Sequence, residues 1–218
     1  MPDLRTAINL ARLYLVCDAR PDEFLERALR GGVDLVQLRL KDATDGEIVG
    51  VARRFKAVCA AHAVPLILND RPDLVSEAHA DGVHLGQDDM PVTRARELVG
   101  PERIIGLSTH SPAQVDAASA AAEVDYIGVG PVHSTPTKPG RPAVGLDLVR
   151  YASVNARVPF FAIGGINAGN VAAVRTAGAA RVAVVRAITD SADPEAAARA
   201  LRSANSASSV SEAGVGAT

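Results

Sequence analysis

Asp34-Leu-Val-Gln-Leu-Arg-Leu-Lys41 is followed, two residues on, by Thr44-Asp-Gly-Glu-Ile-Val-Gly-Val-Ala-Arg-Arg-Phe-Lys-Ala-Val58, and the change of period between the two stretches decides the fold. From Val36 to Lys41 apolar and polar residues alternate strictly, the period of a β-strand whose successive side chains face opposite ways. In the second stretch Ile48, Val51, Ala52, Phe55 and Val58 recur every three or four residues along one helical face. Thr44 and Glu47 stand at capping-box spacing in front of it. A strand handing over to a helix in this way recurs along the chain. Apolar or β-branched runs start near Arg12, Asp34, Pro65, Gly82, Arg103, Asp125, Pro159 and Ala180, 17 to 34 residues apart, and a helical pattern is expected after each.

Strands separated by helices pair in parallel through right-handed crossovers. Eight such units predict an α/β fold, a single (β/α)8 TIM barrel over residues 12–202. Residues 1–11 are left as an N-terminal extension. Residues 203–218 hold five Ser, four Ala and two Gly without apolar periodicity and read as a disordered tail. Further boundaries are marked by Gly31-Gly32 as a helix stop, and by Ser111-Pro112 and Asp193-Pro194 as oxygen caps ahead of a proline at the first helical position. The proline-rich stretch Pro131–Pro142 is expected to be a long loop.

Composition excludes several classes of function. The 218 residues carry 23 Lys+Arg against 25 Asp+Glu, a formal net charge of -2, with no basic block and no Trp, which argues against a nucleic-acid partner. No run of about 18 apolar residues predicts a membrane span. Asp3, Arg5, Arg12 and Asp18 interrupt any export signal. Cys17 and Cys59 are too few for a disulfide framework and suit a reducing compartment, the cytoplasm.

In a parallel barrel, chemistry belongs at the C-terminal strand ends. On strand two Gln37, Arg39 and Lys41 share one face, so two cations and an amide aimed into the mouth make a cradle for a multiply charged phosphate. Asn69-Asp70 ends strand three, and His84-Leu-Gly-Gln-Asp-Asp89 leads out of strand four. Carboxylates beside a phosphate cradle make electrostatic sense with Mg2+ between them, held by Asp70 and one of Asp88 and Asp89. The plainer role for Asp70 is a helix cap. Ile163-Gly-Gly-Ile166 and Val185-Arg186 suggest a second anion site after strands seven and eight, where backbone amides approach an oxyanion. Thr135, Thr137 and Lys138 put hydroxyls and an ammonium on the long loop, a candidate lid. Ser108 is a candidate substrate contact. His110 reads as structural, His84 as a satisfied interior histidine, and Cys17 as buried and inert.

Gln37-Leu-Arg-Leu-Lys41, Asn69-Asp70, Gly86-Gln-Asp-Asp89, Gly130-Pro131, Thr135-Pro-Thr-Lys138 and Ile163-Gly-Gly-Ile166 together resemble the thiamine phosphate synthase family, over about residues 12–200. The resemblance implies a (β/α)8 transferase joining 4-amino-2-methyl-5-(diphosphooxymethyl)pyrimidine to 4-methyl-5-(2-phosphooxyethyl)thiazole, with release of pyrophosphate. It further implies that Gln37, Leu38, Arg39, Leu40, Lys41, Asn69, Ser108 and Lys138 hold the pyrimidine diphosphate. Arg39, Lys41 and Lys138 would be catalytic, and Asp70 and Asp89 would ligate Mg2+. Thr135, Pro136, Thr137, Gly165, Val185 and Arg186 would meet the thiazole phosphate, Arg186 standing where relatives often have a small hydroxyl residue. The implied partners are two phosphorylated small molecules, and barrels of this kind often self-associate as homo-oligomers. Rival readings are a thiazole tautomerase or another phosphate-binding barrel isomerase, and a noncatalytic thiamine-phosphate sensor. The tautomerase pattern places a His after the glycine ending strand six, where this chain has Pro131.

Overall fold

The computed structural model describes residues 3–135 and 142–204, and among them eight parallel strands close into a barrel in sequence order. Helix α1 (Leu4–Leu10) precedes β1 (Leu13–Cys17); α2 (Asp22–Arg30), β2 (Leu35–Leu38), α3 (Asp45–Ala61) and β3 (Leu66–Asn69) follow. The next elements are β4 (Gly82–Leu85), α4 (Val92–Val99), β5 (Ile104–Thr109), α5 (Pro112–Ala120), β6 (Tyr126–Val129) and α6 (Gly145–Asn155). The chain closes with β7 (Phe160–Ile163), α7 (Val171–Thr176), β8 (Val182–Val184), α8 (Arg186–Thr189) and α9 (Pro194–Ala204). All eight expected strands are present within two residues of the runs that announced them.

The local signals account for the helix ends. Thr44 Oγ1 accepts from the Glu47 amide while the Glu47 carboxylate accepts from the Thr44 amide, closing the capping box of α3. Ser111 caps α5 through the Gln114 amide, and Asp193 Oδ1 accepts from the Ala196 amide at the start of α9. Three observations correct or refine these expectations. No α-helix lies between β3 and β4, only a 3-10 turn over Pro72–Leu74, because the segment is too short for helix and loops together. The proposed extension contains α1, whose Ile8 is buried against the barrel's inner residues. Helix α9 runs through Ser203 to Ala204, past the expected start of the tail; residues 205–218 lie outside the described residues.

The two faces of each strand divide the core. Leu13, Leu15, Val36, Leu38, Leu66, Leu68, Val83 and Leu85 face outward and pack under the helices with Leu25, Leu29 and Phe55. Tyr14, Val16, Leu35, Ile67, Ile104, Tyr126, Phe161 and Ala183 fill the interior. At the N-terminal end the same device appears three times. Asp34, Asp81 and Asp125 each precede an even-numbered strand, and each carboxylate accepts from the backbone of the odd strand before it, at Leu13, Leu66 and Ile105. Each also meets a cation from the helical layer, Arg202, Lys56 and Arg96 respectively. These carboxylates lock strand to strand at the end of the barrel opposite the C-terminal strand ends.

Candidate active site

With Ile8 of α1 packed on the inner residues at one end, the barrel holds a cavity of about 540 Å³ at the C-terminal strand ends. That is within the usual range for a small-molecule site. Gln37 and Arg39 line one wall, with Asn69 and Ser108 beside them. Gly164, Gly165, Val185 and Arg186, which follow β7 and β8, line the same cavity, as do Pro131 and Thr135 after β6. Gln37, Arg39, Asn69, Ser108, Thr135, Gly165, Val185 and Arg186, far apart in sequence, thus surround one space.

The alternation on β2 explains part of this. Gln37 points inward, where its Nε2 donates to the Tyr14 hydroxyl at 2.6 Å. Arg39 lies just past the strand with its amide still donating to the Cys17 carbonyl at 2.8 Å, so its side chain keeps the inward parity. Leu38 and Leu40 have the opposite parity and pack in the outer layer, leaving only their backbone toward a ligand. Lys41 is exposed beyond the cavity wall. Pro136, Thr137 and Lys138 lie outside the described residues, as does most of the expected lid.

The candidate metal ligands stand at the same rim without lining the cavity. Asp70, with φ of +61°, follows β3 directly; its amide donates to the His84 carbonyl at 2.9 Å and its Oδ2 accepts from Asn69 Nδ2 at 2.5 Å. It does not cap the following turn: Arg71 holds the cap position, with no side-chain cap. Arg71 instead pairs with Asp73 and Asp45, each at 2.6 Å, and those hydrogen bonds, Asp73's first, hold its guanidinium above the ordinary value. Asp89 Oδ2 accepts from the Gly86 amide at 2.6 Å, which folds the loop after β4 back on itself. Among the described residues no three His, Cys, Asp or Glu side chains converge on one point.

The cavity floor was not legible as a site. Tyr14, Tyr126 and Phe161 stack edge to face with centroids 5.2 to 5.9 Å apart. His84 Nδ1 lies 3.0 Å from the Tyr126 hydroxyl and Nε2 2.9 Å from Ser108 Oγ, so the histidine is an interior one engaged on both nitrogens. Burial pushes both phenols well above their ordinary value. His110, expected to be structural, lines the cavity and places Nδ1 2.5 Å from the Gly130 carbonyl. Cys17 is buried and burial raises its thiol far above the reactive range; Cys59 is pushed up to about 12. The inward parity of Tyr14 and Tyr126, two of only three tyrosines in the chain, becomes a signal for the floor only once the barrel is closed.

Comparison with known proteins shows the family. The family model for thiamine monophosphate synthase matches residues 13–188, from the first barrel strand to the helix after the last. The chain belongs to that family. Its members include a thiamine-phosphate synthase of Thermus thermophilus, 51% identical over 202 residues, covering 88% of this chain and 96% of that protein. Another, from Gloeobacter violaceus, is 50% identical over 194 residues; the match takes in 88% of this chain but 57% of that longer protein. A solved thiamine phosphate pyrophosphorylase from Pyrococcus furiosus superposes with a TM-score of 0.83 at 30% identity, covering 93% of this chain and 98% of the other. Membership makes the protein an enzyme of the transferase class. No helix among the described residues is long and apolar enough to cross a membrane.

Proposed function

We propose that the protein condenses 4-amino-2-methyl-5-(diphosphooxymethyl)pyrimidine with 4-methyl-5-(2-phosphooxyethyl)thiazole, giving thiamine phosphate and pyrophosphate. The observation that carries this reading is that two groups suited to anions line one cavity, Arg39 after β2 and Gly164-Gly165 with Val185-Arg186 after β7 and β8. Two phosphorylated substrates need two such groups, and the bond that forms between them needs both in one space. The relatives' activity supports the same reading.

Mg2+ fits the rim. The ion takes one or two carboxylates and completes its shell with substrate oxygens and water, which suits the hard oxygen donors of Asp70 and Asp89 after adjacent strands. Asp70 and Asp89 would hold it, at the ends of adjacent strands whose register pairs Asn69 with His84. When bound, it would offset negative charge on the diphosphate leaving group.

The chain's own residues do the rest. Arg39 makes no ion pair among the described residues, so its charge is available to the diphosphate. Lys41 at the rim, and Lys138 beyond the described residues, complete the expected cations. As the diphosphate departs, these cations stabilise the charge that develops on it, while the electron-rich aminopyrimidine supports positive charge at the methylene in a dissociative displacement. The thiazole nitrogen that attacks carries no proton, so no base is needed, in keeping with a His84 engaged on both ring nitrogens. The second group holds the thiazole phosphate by backbone amides and Arg186. Incubation with both substrates and Mg2+ tests the proposal: equimolar thiamine phosphate and pyrophosphate are expected, and neither after chelation. A thiazole isomerised without pyrophosphate release would favour the tautomerase instead.

A further inference from the structure

A hydrogen-bonded line of five side chains from five strands or their ends runs under the cavity, with Gln37, Tyr14, His84 and Ser108 lining it and Tyr126 buried beneath. Gln37 Nε2 donates to the Tyr14 hydroxyl at 2.6 Å, and Tyr14 lies 2.8 Å from the Tyr126 hydroxyl. The Tyr126 hydroxyl lies 3.0 Å from His84 Nδ1, and His84 Nε2 lies 2.9 Å from Ser108 Oγ. Tyr14 and Tyr126 are shut off from solvent, at 2% and 0% exposed. At Gly106 a Cβ would collide with the Tyr126 ring and His84 Nδ1, so the absence of a side chain there makes room for this junction.

With Gln37 donating through Nε2 and His84 neutral, counting protons sets the direction of the line. Each hydroxyl has one proton, and a neutral imidazole has one donor and one acceptor nitrogen. Tyr14 accepts from Gln37, so its own proton goes to Tyr126; the Tyr126 proton then goes to His84 Nδ1, which leaves the His84 proton on Nε2, donated to Ser108 Oγ. Ser108 has accepted, and its hydroxyl proton is left over on a side chain that lines the cavity.

We infer that this line holds Ser108 as a hydrogen-bond donor to an acceptor atom of the pyrimidine substrate, with Tyr126, His84 and Tyr14 as positioning residues that act through it. The inference rests on the proposed function for the identity of that substrate. Reversal of the Gln37 amide would turn every link around and leave Ser108 donating to His84, with only an acceptor for the ligand. Specificity for an acceptor therefore depends on a group four links away.

Two measurements test it. In protein labelled with 15N at histidine and saturated with the pyrimidine diphosphate, long-range 1H–15N spectra are expected to show His84 as the neutral Nε2–H tautomer, the signal being assigned by its loss in His84→Gln. An Nδ1–H tautomer or an imidazolium overturns the inference. In kinetics, Tyr126→Phe removes the donor to Nδ1 and lets Ser108 turn its proton to His84. It is expected to raise KM for the pyrimidine diphosphate about tenfold, one hydrogen bond's worth, with KM for the thiazole phosphate unchanged. In a Ser108→Ala background the same change is expected to add nothing. Equal losses in both backgrounds would make the line merely structural and overturn the inference. Should Tyr126→Phe fail to fold, the tautomer decides alone. Wild-type protein that releases no pyrophosphate would sink the proposed function instead, a separate outcome from either of these.

Discussion

Arg186 Nε lies 3.4 Å from Asp190 Oδ2, one helical turn on, and both side chains line the cavity beside Gly165 and Val185. A half-exposed ion pair of this kind is worth no more than about 1 kcal/mol. A phosphate dianion offers the guanidinium a stronger, forked partner and can take it from the carboxylate.

The first prediction follows from that competition. Arg186→Ala is expected to raise KM for the thiazole phosphate about tenfold with little change in kcat, the loss of one charge-assisted contact. Asp190→Asn, which removes the competing carboxylate, is expected to lower it severalfold. Steady-state kinetics with the thiazole phosphate varied checks both; an unchanged KM in Arg186→Ala would place the side chain outside the phosphate site.

Arg39 gives a sharper contrast between chemistry and stability. It points into the cavity and makes no ion pair among the described residues, so Arg39→Ala removes transition-state charge without breaking a native pair. Turnover is expected to fall on the order of 100-fold or more, with Tm unchanged. A normal rate at saturating substrate would refute its role.

The opposite end of the barrel behaves in the reverse way. Asp81 is 8% exposed, accepts from the Leu66 amide at 2.8 Å and meets Lys56 at 2.6 Å. Asp81→Ala leaves a buried amide and a half-buried ammonium unpaired, and is expected to cost about 2–4 kcal/mol in urea unfolding. KM for either substrate should not move, since the cavity lies at the other end. Unaltered stability would show that the three aspartate locks are dispensable.

Much of this was legible in the sequence, for identifiable reasons. Strand positions were, because strands buried on both faces read as short aliphatic runs, as in Leu66-Ile67-Leu68, with Leu66 and Leu68 facing outward and Ile67 inward. The cradle residues Gln37 and Arg39 were, because strict alternation fixes parity. Lys41 was extrapolated from the same alternation, but β2 stops at Leu38 and parity no longer governs a residue so far past its end. The shortened β3–β4 connection was hidden because a general helical expectation was carried over to a segment that lacks the length. Tyr14 and Tyr126 carried no signal of their own, because only closure of the barrel brings β1 and β6 together in its interior.

Those two phenols also give a pH dependence. Burial raises both above the ordinary value of 10.0 that holds in the unfolded chain. The neutral native phenols therefore support folding fully below about pH 10, and that support is lost as pH rises through their higher native values. Absorbance titration is expected to find Tyr14 and Tyr126 silent until the protein unfolds in alkali, leaving Tyr151, which donates to Asp116 at 2.8 Å, as the one tyrosine able to ionise in the native state. Titration of all three in folded protein would contradict the buried line.

The most direct measurement is diffraction from crystals soaked with the pyrimidine diphosphate and Mg2+. The diphosphate is expected against Arg39, with the ion between it and the carboxylates of Asp70 and Asp89. Density for that group at the α1 end, or anywhere outside the cavity, would contradict the account.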